Sequence, residues 1–199
     1  MLPTSWHDIN VAQMLEISRA GSSIKDITHL LNLFIDVENE DMSVFMDAAV
    51  EFARVLNSKP EVVPCEDVYI GKEHYHLRPI EELSVSEYID FDEFKDKPLE
   101  NLTLLLSIIY SADGDTGDYI NDVKRKSKEF LDCPADVAQS ALLFFSQRFL
   151  AYTNNFLGSL LQEHPEMKAE VEKIQSLLGM TSSLENQNGT SQTEEQSMD

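Results

Sequence analysis

The 199 residues carry 36 acidic and 15 basic side chains, a formal net charge of -21 at pH 7, with 42% apolar residues. That apolar share is enough to bury a core, while the charge repels polyphosphates and anionic lipid and so argues against nucleic acid and membrane surfaces as partners. The two cysteines, Cys65 and Cys133, lack the spacing of a disulfide framework or a thiolate zinc site, and no stretch reaches the ~18 apolar residues of a membrane span.

The first periodic stretch follows Asp8. Ile9, Val11, Met14, Leu15 and Ile17 share one face of a helix running to Ala20, and Gly21-Ser22-Ser23 breaks it. Ile24, Ile27, Leu30, Leu31, Phe34 and Ile35 then predict a second helix, ended by the acidic stretch Asp36 to Asp41. A third, from about Ser43 to Leu56, carries Val44, Phe45, Ala48, Ala49, Phe52 and Val55 and closes at Asn57-Ser58-Lys59-Pro60, because proline removes a backbone donor and restrains its predecessor. Val68-Tyr69-Ile70 and His74-Tyr75-His76-Leu77, around Gly71-Lys72-Glu73, predict a β-hairpin at about residues 68 to 77.

After Arg78-Pro79 the helical pattern resumes in Leu83, Val85, Tyr88, Ile89 and Phe91 and again in Leu99, Leu102, Leu105, Leu106 and Ile109. Ser111 to Asp118 reads as a loop, and Tyr119 to Leu131 as a short helix. Pro134 fits the first turn of a long helix from Ala135 to about His164, expected to be the most buried element. A final helix follows from Pro165 to Gly179.

Ile9, Val11, Gln13, Leu15 and Glu16 align with Leu83, Val85, Glu87, Ile89 and Asp90 at one constant offset, and the next helices align after a one-residue insertion. The expected fold is therefore α+β, mainly α-helical with one β-hairpin and a duplicated helix-pair unit. The alternative is two ordinary amphipathic helix pairs obeying the same burial pattern. Residues 1–60 are read as an N-terminal helical unit, residues 61–179 as a hairpin plus helical unit sharing one core, and residues 180–199 as a disordered acidic and polar tail.

No motif for catalysis is present: no Gly-rich phosphate loop, nucleophile elbow or Cys and His dyad signature, so neither an enzyme nor a cofactor is expected. His74 and His76 project from one strand face as a metal pair would, yet two ligands fall short of the three or four that zinc requires, and no metal site is assigned. Asp113, Asp115, Asp118 and Asp122 suggest a calcium loop, but an EF-hand places Gly sixth and Glu twelfth, where this chain has Asp118 and Lys124. Lys124, Arg125, Lys126 and Lys128 form the one basic cluster, expected to pair with carboxylates within or between subunits. Trp6 is read as a staple packing the N-terminus onto the first helix.

The run Tyr69-Ile70-Gly71-Lys72-Glu73-His74-Tyr75-His76-Leu77-Arg78-Pro79, followed by Leu83-Ser84-Val85-Ser86-Glu87-Tyr88, resembles bacteriophage tail assembly chaperones, in which a short hairpin leads into a similar helix start. The opening Leu2-Pro3-Thr4-Ser5-Trp6-His7-Asp8-Ile9-Asn10-Val11-Ala12-Gln13 is similar to small virion-module proteins of crAss-like and other Bacteroidetes phages. The resemblance implies a binding protein of the host cytoplasm that shields or delivers tail components, the tape measure or the tube, during virion assembly. It implies protein partners, phage tail or portal proteins, and leaves room for a homo-oligomer. The competing readings are a ring or adaptor protein of the portal-tail complex, which would reside in the virion, and an acidic host-directed inhibitor or decoy. No partner-binding residue is assigned at this point.

Overall fold

The computed structural model describes residues 1–169 and residue 173. Trp6–Asp8 form a 3-10 turn, followed by α1 (Val11–Arg19), α2 (Ile24–Asn32) and α3 (Met42–Asn57). Strands β1 (Asp67–Ile70) and β2 (Glu73–Leu77) lead into α4 (Val85–Phe94) and α5 (Leu102–Ile109). The chain continues through β3 (Tyr110–Ala112), α6 (Tyr119–Glu129) and α7 (Ala135–Glu163). The expected mainly helical α+β architecture is observed. The helix expected from Pro165 to Gly179 is described in its first residues alone, where Pro165–Met167 is a 3-10 turn, and the tail at 180–199 lies outside the described residues.

Helix starts follow local chemistry. Asn10, Ser23 and Ser84 each accept from the backbone N–H three residues on, and Gln13, Asp26 and Glu87 each reach back to the capping residue's own N–H, so two orphan donors are satisfied at each end. Asn10 and Ser84, like Gln13 and Glu87, stand at the offset of the proposed duplication, so part of that alignment records one capping rule used twice. Burial does not follow the alignment: Val11 is fully buried whereas its counterpart Val85 is 79% exposed.

The hairpin gains a third strand at Tyr110–Ala112, where a loop is expected from Ser111 onward. β1 and β3 flank β2, both antiparallel, with Val68 paired to Tyr75 and Tyr75 to Ala112 on the buried face. Tyr110-Ser111-Ala112 is too short to show alternation, and the apolar run of α5 enters it without a turn signal. Gly71 opens the two-residue hairpin loop at φ 63°, the left-handed conformation that primed hairpin turns require.

The chain divides into two compact units, Met1–Phe149 and Leu150–Asp199. In the first, the main core gathers Ile9 and Val11, the sheet's Tyr75 and Tyr110, all of the buried face of α5, and Phe91, Phe130, Phe145 and Phe149. Phe91 packs against Phe145 and Phe149 with ring centroids 4.9 Å apart in both cases. Leu30, Leu31, Val37, Ala48 and Phe52 form a smaller cluster where α2 meets α3. The main core and not α7 sets the most buried element: α5 hides Leu102, Leu105, Leu106, Ser107, Ile108 and Ile109, while α7 leaves Leu143 and Phe144 open. Leu143 and Phe144 lie between buried Ala141 and Phe145, so it is the outward face of α7 that stays open, as on any surface helix.

The N-termini of α1 and α7 are tied together. Val11 donates to the Cys133 carbonyl at 2.9 Å and Ala135 to the Ile9 carbonyl at 2.8 Å, while His7 Nδ1 lies 3.1 Å from Asp136 Oδ2. Trp6 packs on the edge of the main core and its indole N–H donates to the Ser58 carbonyl at 3.0 Å, which fastens the N-terminus to the end of α3. Cys65 and Cys133 are free and buried. Burial, assisted by the Asp136 charge, pushes the Cys133 thiol up to about 12, so it packs as a small hydrophobe.

Candidate functional site

Three features stand out as chemistry or surface beyond what the fold requires. The first is the solvent face of the sheet. Because side chains alternate along β2, burying Tyr75 sends His74 and His76 to the other side. Register does the rest: Asp67 of β1 lies opposite His76, Tyr69 lies opposite His74, and Asp113, one residue beyond β3, comes alongside. Asp67 Oδ1 is 2.6 Å from His76 Nδ1 and 3.3 Å from His74 Nε2. Asp113 approaches the remaining ring nitrogens, its carboxylate oxygens 3.7 Å from His74 Nδ1 and 3.6 Å from His76 Nε2. The His74 ring stacks on Tyr69 at 4.2 Å and meets the edge of His76 at 3.9 Å. The sequence pointed to the two histidines and to the hairpin whose register sets Asp67 opposite His76; Asp113 arrives through β3, whose pairing no spacing rule announces.

The second feature is the basic cluster, which the fold divides. Lys126 is 4% exposed and donates to the Tyr110 carbonyl at 2.7 Å and to Asp115 at 3.0 Å. Arg125 pairs with Asp115 at 2.8 Å and Glu129 at 2.9 Å. Glu129 in turn accepts from the Tyr75 hydroxyl, whose ionisation burial and that carboxylate both oppose. Lys124 and Lys128 stay exposed. Intramolecular pairing, one of the two uses expected for this cluster, is thus observed for Arg125 and Lys126.

The four aspartates of the calcium-like loop have separate duties. Asp113 faces the histidines, Asp115 holds Arg125 and Lys126, and Asp118 caps α6. Asp122 accepts from the Thr116 and Gly117 backbones and from the Thr116 hydroxyl. Burial raises the Asp122 carboxyl, and these hydrogen bonds outweigh it and hold the group below the usual carboxylate range. The four carboxylates do not converge.

The third feature is an apolar ridge on α3. The helix buries Ala48, Phe52 and Val55, yet Met42, Met46 and Val50 are 68%, 53% and 56% exposed. These three residues, four apart in sequence, stack along one side of the helix, and Ala53 continues the line. Asp47 and Glu51 flank it, with Arg54 paired to Glu51 at 2.8 Å. A smaller recess of about 350 Å³ lies between α4, α5 and α7, lined by Pro98, Leu99, Leu102, Leu142 and Leu143. Among the described residues no helix is long and apolar enough to cross a membrane.

Comparison of the chain with protein-family models, with curated proteins and with solved structures finds no match in any of the three.

Proposed function

We propose that this chain is a phage tail assembly chaperone-like protein that binds an amphipathic helix of a tail component, the tape measure or tube, and does so without catalysis. The observation that carries the reading is α3, apolar on two sides. A surface helix normally presents one apolar stripe to its core and polar residues elsewhere. Here a second stripe of Met42, Met46 and Val50 faces solvent, and flexible, polarisable methionines suit a surface that accepts partners of varied shape.

Charge selects the occupant. With Asp41, Asp47 and Glu51 beside the ridge and a formal net charge of -21 on the chain, a helix carrying Lys or Arg beside its own apolar stripe is favoured and a second copy of this acidic surface is not. The resemblance of residues 69 to 88 to tail assembly chaperones supports the same reading. An intersubunit use of Lys124 to Lys128, one contact open to a ring component, finds two of the four cations engaged internally.

The test is quantitative mass spectrometry of purified particles beside the infected-cell lysate, together with a photo-crosslinking side chain at position 46. A chaperone is abundant in the lysate, missing from particles, and crosslinked to a tail protein. A constant copy number in particles overturns this reading in favour of a ring component. Crosslinking to a host protein alone overturns both.

A further inference from the structure

We propose that the solvent face of the sheet binds one divalent transition-metal ion of the zinc class, ligated by Asp67, His74 and His76 and supported by Asp113. The donors fit by type, number and position. One ring nitrogen each of His74 and His76 and an Asp67 oxygen lie within 4.8 Å of one another, a spread that small side-chain rotations close around a single ion. In tetrahedral coordination with bonds of ~2.0–2.1 Å, neighbouring donors sit about 3.3 Å apart. Asp67 and His74 Nε2 already stand at 3.3 Å, and the 2.6 Å hydrogen bond that Asp67 accepts from His76 Nδ1 widens toward that value when the ion replaces the proton.

Two further observations point at a ligand. His74 Nε2 is enclosed and makes no hydrogen bond, leaving a buried ring nitrogen 3.3 Å from an Asp67 oxygen and within the group that could share one ion. Asp113 stands on the opposite nitrogen of each ring, within ion-pair distance of His74 Nδ1 and His76 Nε2. That is the place of the carboxylate that fixes tautomer and orientation behind metal-bound imidazoles. Tyr69, stacked on His74, restrains the same ring from its flat side.

Two imidazoles and one carboxylate favour zinc, copper or nickel over calcium and magnesium, which take oxygen donors. Asp67 is 61% and His76 47% exposed, so the remaining coordination positions open to solvent. The site lies on the sheet and uses no residue of the α3 ridge, so it stands or falls independently of the proposed function.

The full-length chain, freed of metal by a chelator, is titrated with Zn²⁺ by calorimetry while the ring resonances of its histidines are followed by NMR. One ion binds, the His74 and His76 signals move together in one step, and those of His7, His29 and His164 serve as internal controls. His76→Gln and His74→Gln each weaken binding by about 100-fold or more, and Asp113→Asn by ~10–100-fold. Circular dichroism and thermal melting without metal establish that each variant folds. His76→Gln, at the more exposed ring, decides the matter if His74→Gln fails to fold. Equal affinity in His76→Gln, zinc spread over several weak sites without movement of the two histidines, or the same histidine response to Mg²⁺ overturns the proposal.

Discussion

Arg78, directly after β2, joins the end of the sheet to the start of α4. Its guanidinium donates to Glu87 at 2.6 Å and to the Glu82 carbonyl at 2.6 Å, with both charged side chains at least four-fifths buried. Glu87 simultaneously closes the capping box of α4. Replacing Arg78 with Ala leaves a buried carboxylate short of its cation, and a loss of about 2–3 kcal/mol is expected in urea denaturation. Burial raises the Glu87 carboxyl, but Arg78 and Ser84 outweigh it, so the group lies below its usual 4.5 in the folded chain. The unfolded chain then binds more protons, and this contribution is complete above about pH 4.5 and fades as pH falls through the folded value. Glu87→Gln should therefore flatten the acid limb of a stability-against-pH curve, and an unchanged limb would count against the pairing. Within the basic cluster, Lys126→Met should cost about 2–4 kcal/mol because Asp115 and the Tyr110 carbonyl lose a buried donor, whereas Lys124→Ala and Lys128→Ala should stay within about 0.5 kcal/mol.

Helix α3 separates stability from binding along one element. Phe52, 3% exposed and 5.4 Å from Phe34 by ring centroids, belongs to the core, and Phe52→Ala should destabilise by about 3–5 kcal/mol. Met42→Glu and Val50→Glu, at side chains that face water, should leave the denaturation midpoint nearly unchanged while abolishing crosslinking from position 46 to the tail protein. A stability loss as large as that of Phe52→Ala would mean the ridge is core. At α4, Ser84→Ala should cost about 1 kcal/mol as two of the cap's hydrogen bonds disappear.

For the chain taken entire, the imbalance of 36 acids against 15 bases decides the sign of the salt effect. Screening weakens the exposed ion pairs, each worth well under ~1 kcal/mol, but also relieves the repulsion summed over all uncompensated carboxylates. The thermal midpoint should rise between about 10 and 200 mM NaCl, as the Debye length shrinks from ~30 to ~7 Å across the separations of surface charges. A falling midpoint would show that the Arg125 and Lys126 network outweighs the self-repulsion.

Helix existence and helix starts were legible in the residues, because the three- and four-residue apolar steps and the Ser or Asn caps act within one turn of backbone. The hairpin was legible for the same reason, through Gly71 and the alternation of His74, Tyr75 and His76. What the residues could not announce depended on partners distant in sequence. β3 exists because Tyr110, Ser111 and Ala112 find β2, 33 or more residues upstream, and only that pairing sets Asp113 beside two histidines. The covered stripe of α3 was legible, since Ala48, Phe52 and Val55 stand on the face the spacing predicts, but nothing local announced that the apolar Met42, Met46 and Val50 would be left open, which depends on what packs on the helix. Local chemistry determined the elements, whereas burial and convergence were decided by tertiary pairing, since a side chain's neighbours across a sheet or core are set by the fold and not by its position in the chain.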